Sequence, residues 1–298
     1  INSRSESMSE LSVAAGGLHD PKLNLGVAHL PPASFRLGVA AMTQTGIGVR
    51  LAVPRGTARE LSRARVSEAG AGHDGAAQDR MIQVLLSVRE DYTRVYLHRE
   101  RQKILEQSIV VFSDLAEITR DYYANGRAHQ QDVVQAQLEL SKVRERLARI
   151  RQQEEEARAR LAERIGTAAY RDLEENWPGF RQPSESQTII ERLTEHPRIR
   201  VWQHEISKSR TSEEIARQAY KPGFAVDLAY GGRGGQNMDG SDRSDFLSVF
   251  VSMDIPLFTK NRQDRVLASN IAETAATEFA RDDVYRSMKA RVEEHATT

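Results

Sequence analysis

Histidines, cysteines and glycine-rich runs are where a chain of 298 residues would carry chemistry, and in this one each of them fails. The absence of cysteine excludes thiolate nucleophiles, thiolate metal sites and structural disulfides. His73, His98, His129 and His204 show neither an HExxH pattern nor a paired spacing that would hold a metal. There is no GxSxG elbow and no Walker lysine. Gly231-Gly232-Arg233-Gly234-Gly235 superficially resembles a phosphate loop, but it follows an alternating segment and leads into a polar stretch instead of a helix. It reads as a surface hairpin loop. Glu154-Glu155-Glu156 reads as a solvated helix face. No catalytic, cofactor or metal site is expected, and the chain is not read as an enzyme.

Composition narrows the classes further. Only 39% of the residues are hydrophobic and 28% are charged, which is little apolar material for a compact core of this length. Forty-two basic residues balance forty-two acidic ones, so no net field recruits nucleic acid or an anionic surface. No run of about 18 apolar residues exists, so a membrane could be crossed only as a β-barrel. Ile1 is read as the start of a processed or truncated chain.

The elements that must position any functional residue are unusually long. Between Ala76 and Asn125, Met81, Val84, Leu85, Val88, Tyr92, Val95, Tyr96, Leu105, Ile109, Phe112, Leu115 and Tyr122 recur at helical spacing. At about 1.5 Å per residue this is a helix of roughly 75 Å. Asn125-Gly126 supplies the left-handed conformations that end it. A second helix is predicted from Ala128 to Ile165, with a seam of Val133, Ala136, Leu140, Val143, Leu147, Ile150, Ala157 and Leu161 in which Glu154 is the one charged residue. So short a link makes the two antiparallel. The cluster Gly70, Gly72 and Gly75 is expected to kink or break the preceding helix.

Four segments alternate with a period of two. Leu23, Leu25 and Val27 oppose Asn24, Gly26 and Ala28, and Ile47, Val49, Leu51 and Val53 oppose Gly46, Gly48 and Arg50. Later, Phe224, Val226, Leu228 and Tyr230 oppose Ala225, Asp227 and Ala229, and Leu247, Val249, Val251, Met253 and Ile255 oppose Ser248, Phe250, Ser252 and Asp254. Strands of about 8 to 10 residues are long enough to cross a bilayer at a tilt, with one face to lipid and one to water. A half-buried soluble sheet is the alternative. The pairs form a repeat offset by about 200 residues: Asp20-Pro21 to Val53-Pro54, then Lys221-Pro222 to Ile255-Pro256, each followed by a helical stretch.

Asp20-Pro21-Lys22-Leu23-Asn24-Leu25-Gly26-Val27 with Leu30-Pro31, the tip Tyr123-Ala124-Asn125-Gly126-Arg127-Ala128 with Asp132-Val133 and Ala136-Gln137, then His196-Pro197, Pro222-Gly223-Phe224, Ser244-Asp245-Phe246 and Ile255-Pro256-Leu257-Phe258 occur in order over nearly the whole chain. Together they resemble the TolC-like outer-membrane factors, and most closely the branch serving heavy-metal efflux pumps (copper, or cobalt, zinc and cadmium). His29 stands where that branch usually has asparagine. The resemblance implies a mainly α fold with a β portion: long antiparallel helical hairpins forming an α-barrel tunnel, and four strands per subunit in a trimeric, 12-stranded β-barrel.

On that reading residues 1–19 end a tunnel helix, 20–56 and 222–258 are the barrel hairpins, 57–166 is the helical hairpin with its tip at 125–127, and 167–198 is a mixed equatorial segment containing Trp177-Pro178 and Pro183. Residues 199–221 and 259–298 are tunnel helices, the last one truncated before the family's second helical hairpin and its gating carboxylates. The implied partners are two further copies of the chain, a periplasmic adaptor (membrane fusion protein), an inner-membrane pump and outer-membrane lipid. The implied cofactor is none. The family's adaptor contact falls on Tyr123, Gly126, Arg127, Ala128, Asp132 and Val133. Arg50, Asp227 and Asp254 are expected to face the lumen, because an arginine on the lipid face costs about 2 to 4 kcal/mol near the midplane. The expected function is a passive exit duct for metal cations or small toxic compounds. A soluble coiled-coil scaffold or an adaptor is the alternative.

Overall fold

The computed structural model describes residues 2–174, 179 and 184–296, so Trp177-Pro178 and Pro183 lie outside the described residues. In chain order it contains α1 (Asn2–Ala15), β1 (Lys22–Ala28), β2 (Gln44–Val53), α2 (Ala58–Ala124), α3 (Gln130–Ile165), α4 (Ser186–Glu191), α5 (Pro197–Gln218), β3 (Gly223–Gly232), β4 (Phe246–Asp254) and α6 (Gln263–Ala296). Short 3-10 turns follow α3 and α4. The order helix, strand, strand, helix occurs twice, as α1-β1-β2-α2 and α5-β3-β4-α6. The chain thus has a mainly α fold with one four-stranded sheet and a two-fold internal repeat.

Two compact units divide it, Ile1–Gln78 with Glu185–Thr298 and Asp79–Ser184, and the division falls inside α2. In the first unit the sheet runs β1-β2-β3-β4 with every neighbouring pair antiparallel. Pairing β2 with β3 joins the two repeats across a register that sets Val49 opposite Leu228. Helix α5 begins at Pro197, whose missing N–H is harmless in the first turn, and the His196 ring accepts from the Arg198 amide at 3.2 Å.

α2 does not break at its glycines. A Cβ on Gly75 would sit 3.1 Å from Val201 Cγ2 on α5, and one on Gly70 would sit 3.3 Å from Met8 Cβ on α1. These glycines let neighbouring helices approach closely, and packing overrides their weak helix propensity. His204 on α5 and Glu68 on α2 bond side by side at 2.9 Å.

In the second unit, the remainder of α2 and α3 form an antiparallel hairpin. All seven buried residues of α3 are seam positions: Ala136, Leu140, Val143, Leu147, Ile150, Ala157 and Leu161. Val95, Ala157, Leu161 and Ala169 make its core, flanked by Val88, Tyr92, Ala162 and Leu173. Asp91 is 5% exposed and is met by Arg164 at 3.1 Å and Arg94 at 3.4 Å, which balances the cost of burying a carboxylate. Glu154 departs from the solvated face expected of its run. It turns inward and is held by Arg158 at 2.8 Å and by Gln102, while Glu155 and Glu156 stay exposed.

Candidate functional site: the polar sheet face and the helix tip

The sheet register sorts the strands into two dissimilar faces. Leu23, Val49, Leu228 and Val249 form one row across all four strands, and Leu25, Ile47, Tyr230 and Leu247 form the next. Rows with Leu51, Val226 and Val251 and with Val53, Phe224 and Met253 continue the same face. These side chains are open to the surroundings, from 38% exposed at Val226 to 72% at Leu25 and Leu247. A contiguous patch of this kind marks contact with another apolar phase or another protein. The opposite face carries Asn24, Gly48, Ala229 and Ser248 in one row and Gly26, Gly46, Gly231 and Phe246 in another.

The three strand charges singled out from the sequence all stand on that small, polar face, in two separate pairs. Arg50 and Asp227 are directly opposed across β2 and β3, with Arg50 Nε 3.8 Å from Asp227 Oδ1. Arg50 Nη2 also donates to Ser252 Oγ on β4 at 3.3 Å. Asp254 lies apart from them and pairs with Arg55 at 3.4 Å, and Arg55 donates in addition to the Ala219 carbonyl. A cleft of about 960 Å³ opens at this end of the face, walled by Lys22, Asn24, Arg50, Arg55, Gln218 and Asp254 among others. Sequence reasoning missed Arg55 and the part played by Ser252. Alternation already placed Ser252 beside Asp254, whereas Arg55 follows Pro54, where the alternation has ended.

At the other end of the strands, arginines hold the loops. Arg243 Nη1 reaches the carbonyls of Gly38, Ala40 and Gly234, tying the β1–β2 loop to the β3–β4 loop. Arg233 donates to the Ser244 carbonyl at 2.6 Å and lies 3.9 Å above the Phe246 ring. Of the glycine run expected as a surface loop, Gly231 and Gly232 end β3, and the tied loop begins only at Arg233. Asp245 is held below the usual carboxylate range by the Tyr230 hydroxyl first, with the Arg233 amide adding to it.

The helix tip is closed by backbone geometry. Gly126 has φ 68°, the Arg127 amide donates to the Tyr122 carbonyl at 2.8 Å, and the Gly126 amide donates to the Tyr123 carbonyl at 3.0 Å. This is a Schellman ending, which needs a left-handed residue where glycine stands. Asp132 accepts from the His129 amide at 2.9 Å and so caps α3. Of the six tip residues, Gly126 and Asp132 thus build the turn, Ala128 and Val133 are half-buried, and Tyr123 and Arg127 are exposed. Apolar neighbours that the motif did not point to widen the exposed skin: Ile118, Tyr122, Val134 and Leu138. Ile118, Val134 and Leu138 fall off the expected apolar stripes, which was the available signal, whereas Tyr122 was placed on the stripe of the first arm and is nonetheless 52% exposed.

Among the described residues no group of three or more His, Cys, Asp or Glu side chains could hold a metal ion. His98, in the helical hairpin, is held below its ordinary pKa of 6.5 by burial and then by Arg101. No described helix is long and apolar enough to cross a membrane.

No protein-family model matches the chain, and no curated protein matches it by sequence. Solved structures do. CusC, described as undergoing conformational changes on folding and transmembrane channel formation, superimposes with a TM-score of 0.74 at 12% identity, over 97% of this chain and 68% of its own. The outer membrane protein VceC from Vibrio cholerae gives 0.72 at 14% identity, over 97% of this chain and 70% of that one. A membrane protein from Pseudomonas aeruginosa gives 0.72 at 16%, over 96% and 68%. The chain has the fold of these proteins across nearly all of its length.

Proposed function

We propose that this protein is a subunit of an outer-membrane exit duct in a tripartite efflux system of a Gram-negative bacterium. It carries cargo passively; an inner-membrane pump supplies the energy, and a periplasmic adaptor connects the two. The observation that carries this reading is the sheet, with four strands, one face of exposed apolar side chains, an opposite face of glycine, alanine, serine and paired charges, and two open edges. Four strands cannot close on themselves, and open edges are not tolerated in lipid. Three copies would close twelve strands with the apolar face outward. The fold shared with CusC and VceC supports the same arrangement.

Arg50, Asp227 and Asp254 then line the lumen. Tyr123 and Arg127, on the turn built by Gly126 and Asp132 and flanked by Ala128 and Val133, meet the adaptor. Heavy-metal cations are the proposed cargo, on the motif resemblance, with small toxic compounds as the wider class. A duct has no need to bind what it conducts.

The deciding experiment is fractionation of the full-length protein, followed by its mass in mild detergent. A detergent-dependent trimer in the outer membrane is expected, and a photo-crosslinker at Arg127 should then capture the adaptor. A soluble monomer or dimer would overturn the duct and return the hairpin to a coiled-coil scaffold.

A further inference from the structure

Arg50 does not stand free on the polar face. Its row across the sheet is Lys22, Arg50, Asp227 and Phe250, so its nearest cross-strand neighbours are one cation and one anion. Its guanidinium is 3.8 Å from the Asp227 carboxylate on β3 and donates to Ser252 Oγ on β4 at 3.3 Å. Because β3 lies between β2 and β4, those strands are two spacings apart, roughly 9.6 Å, close to the full reach of an arginine. The side chain must lie extended along the wall. Small residues leave it room: Ala225 stands opposite Ser252, and Ser252 Oγ is 3.5 Å from the Ala225 carbonyl.

The geometry has an electrostatic consequence. A lone charge on the wall of a water-filled passage is felt over about one Debye length, ~10 Å at 0.1 M salt. Two opposite charges 3.8 Å apart act at that range as a short dipole, whose field falls off faster. Rings of like charge on a channel wall are what select between cations and anions. Here Arg50 is cancelled by Asp227 on the adjacent strand, which leaves Lys22 as the one net charge of the row, and Arg55, just past the end of β2, compensates Asp254 at 3.4 Å.

We propose that Asp227 is a specificity-determining residue: by pairing with Arg50 it holds this level of the wall to the single positive charge of Lys22 per copy, so that neither sign of cargo is strongly excluded, and its loss doubles that charge and makes the duct favour anions. The proposal rests on the duct reading above and adds to it which residue sets charge selectivity.

The test is the reversal potential of the full-length protein in planar bilayers under a potassium chloride gradient. Asp227→Asn should shift the permeability ratio toward chloride by about threefold relative to the unmodified protein. Arg50→Gln should shift it toward potassium by a similar factor, and the double variant should return it. Ser248→Ala, on the same face but outside both pairs, should leave the ratio within experimental scatter. An unchanged ratio in Asp227→Asn, shifts of the same sign in both single variants, or a double variant that does not return would each overturn the pairing. Should Asp227→Asn fail to insert, Arg50→Gln decides alone by the presence or absence of its potassium shift. An unmodified outer-membrane protein without any conductance would instead remove the duct itself.

Discussion

The helical hairpin and the sheet are both written in apolar residues at strict spacing, and they dispose of them in opposite ways. The hairpin turns its seam inward, leaving Leu161 1% and Ala157 2% exposed. The sheet leaves Leu25 at 72% and Val251 at 68%. A helix that reverses at Gly126 brings its own cover back within a few residues of chain, whereas a strand pair can only extend a surface. Periodicity therefore states which face is apolar; chain reversal decides whether the same molecule can cover it. The α3 seam finds its cover within the chain, whereas the apolar face of the sheet, like Met81 at 65% and Leu115 at 47% on the first arm of the hairpin, does not.

Four measurements would break or sharpen that contrast. The largest effect is expected on the sheet, where Leu228 lies opposite Val49 and Val249. Leu228→Arg should cost about 2 to 4 kcal/mol per copy if that face meets lipid near its midplane, and abolish recovery from the outer membrane. Ser248→Arg, on the other face, should be recovered normally; equal tolerance of both would break the comparison. In the hairpin, Leu161→Ala should lose about 3 kcal/mol through the cavity it leaves, read as lost hydrogen-exchange protection along α3. Gly126→Ala meets no atom within 4 Å, so only its left-handed backbone opposes the change. A cost of about 1 kcal/mol, confined to exchange at the tip, is expected.

The smallest effect is a pH dependence. Burial lowers the His98 pKa in the folded hairpin below the unfolded value of 6.5, so the unfolded chain binds more protons as the pH falls. The contribution is complete while both states are neutral and is lost as pH drops through 6.5 and below. The denaturant midpoint of the hairpin should fall between about pH 7.5 and 5.5, and His98→Gln should flatten that fall.

Much of the architecture was legible because its patterns are long. Seven seam residues of α3, predicted from steps of three and four, are the seven buried ones, and the four alternating segments became the four strands. The failures came where a residue's partner is remote in sequence. Gly70 and Gly75 looked like helix breakers because the side chains that press against them come from remote parts of the chain, Met8 on α1 and Val201 on α5. Glu154 looked solvated because Gln102 lies a whole hairpin arm away. At the candidate site the charges Arg50, Asp227 and Asp254 could be assigned to a face by alternation. Their pairing could not, since it depends on β2 joining β3 across the repeat and on Arg55 beyond the strand end.

The free edges of the sheet make abundance a determinant of fate. β1 offers its outer side from Lys22 to Ala28 and β4 from Phe246 to Asp254, each a ladder of N–H and C=O groups that another strand would pair with. Association then adds to the stability of the folded form by mass action. A solitary copy is left with extended, unpaired backbone of the kind that proteases grip. Its half-life should lengthen with the number of copies made.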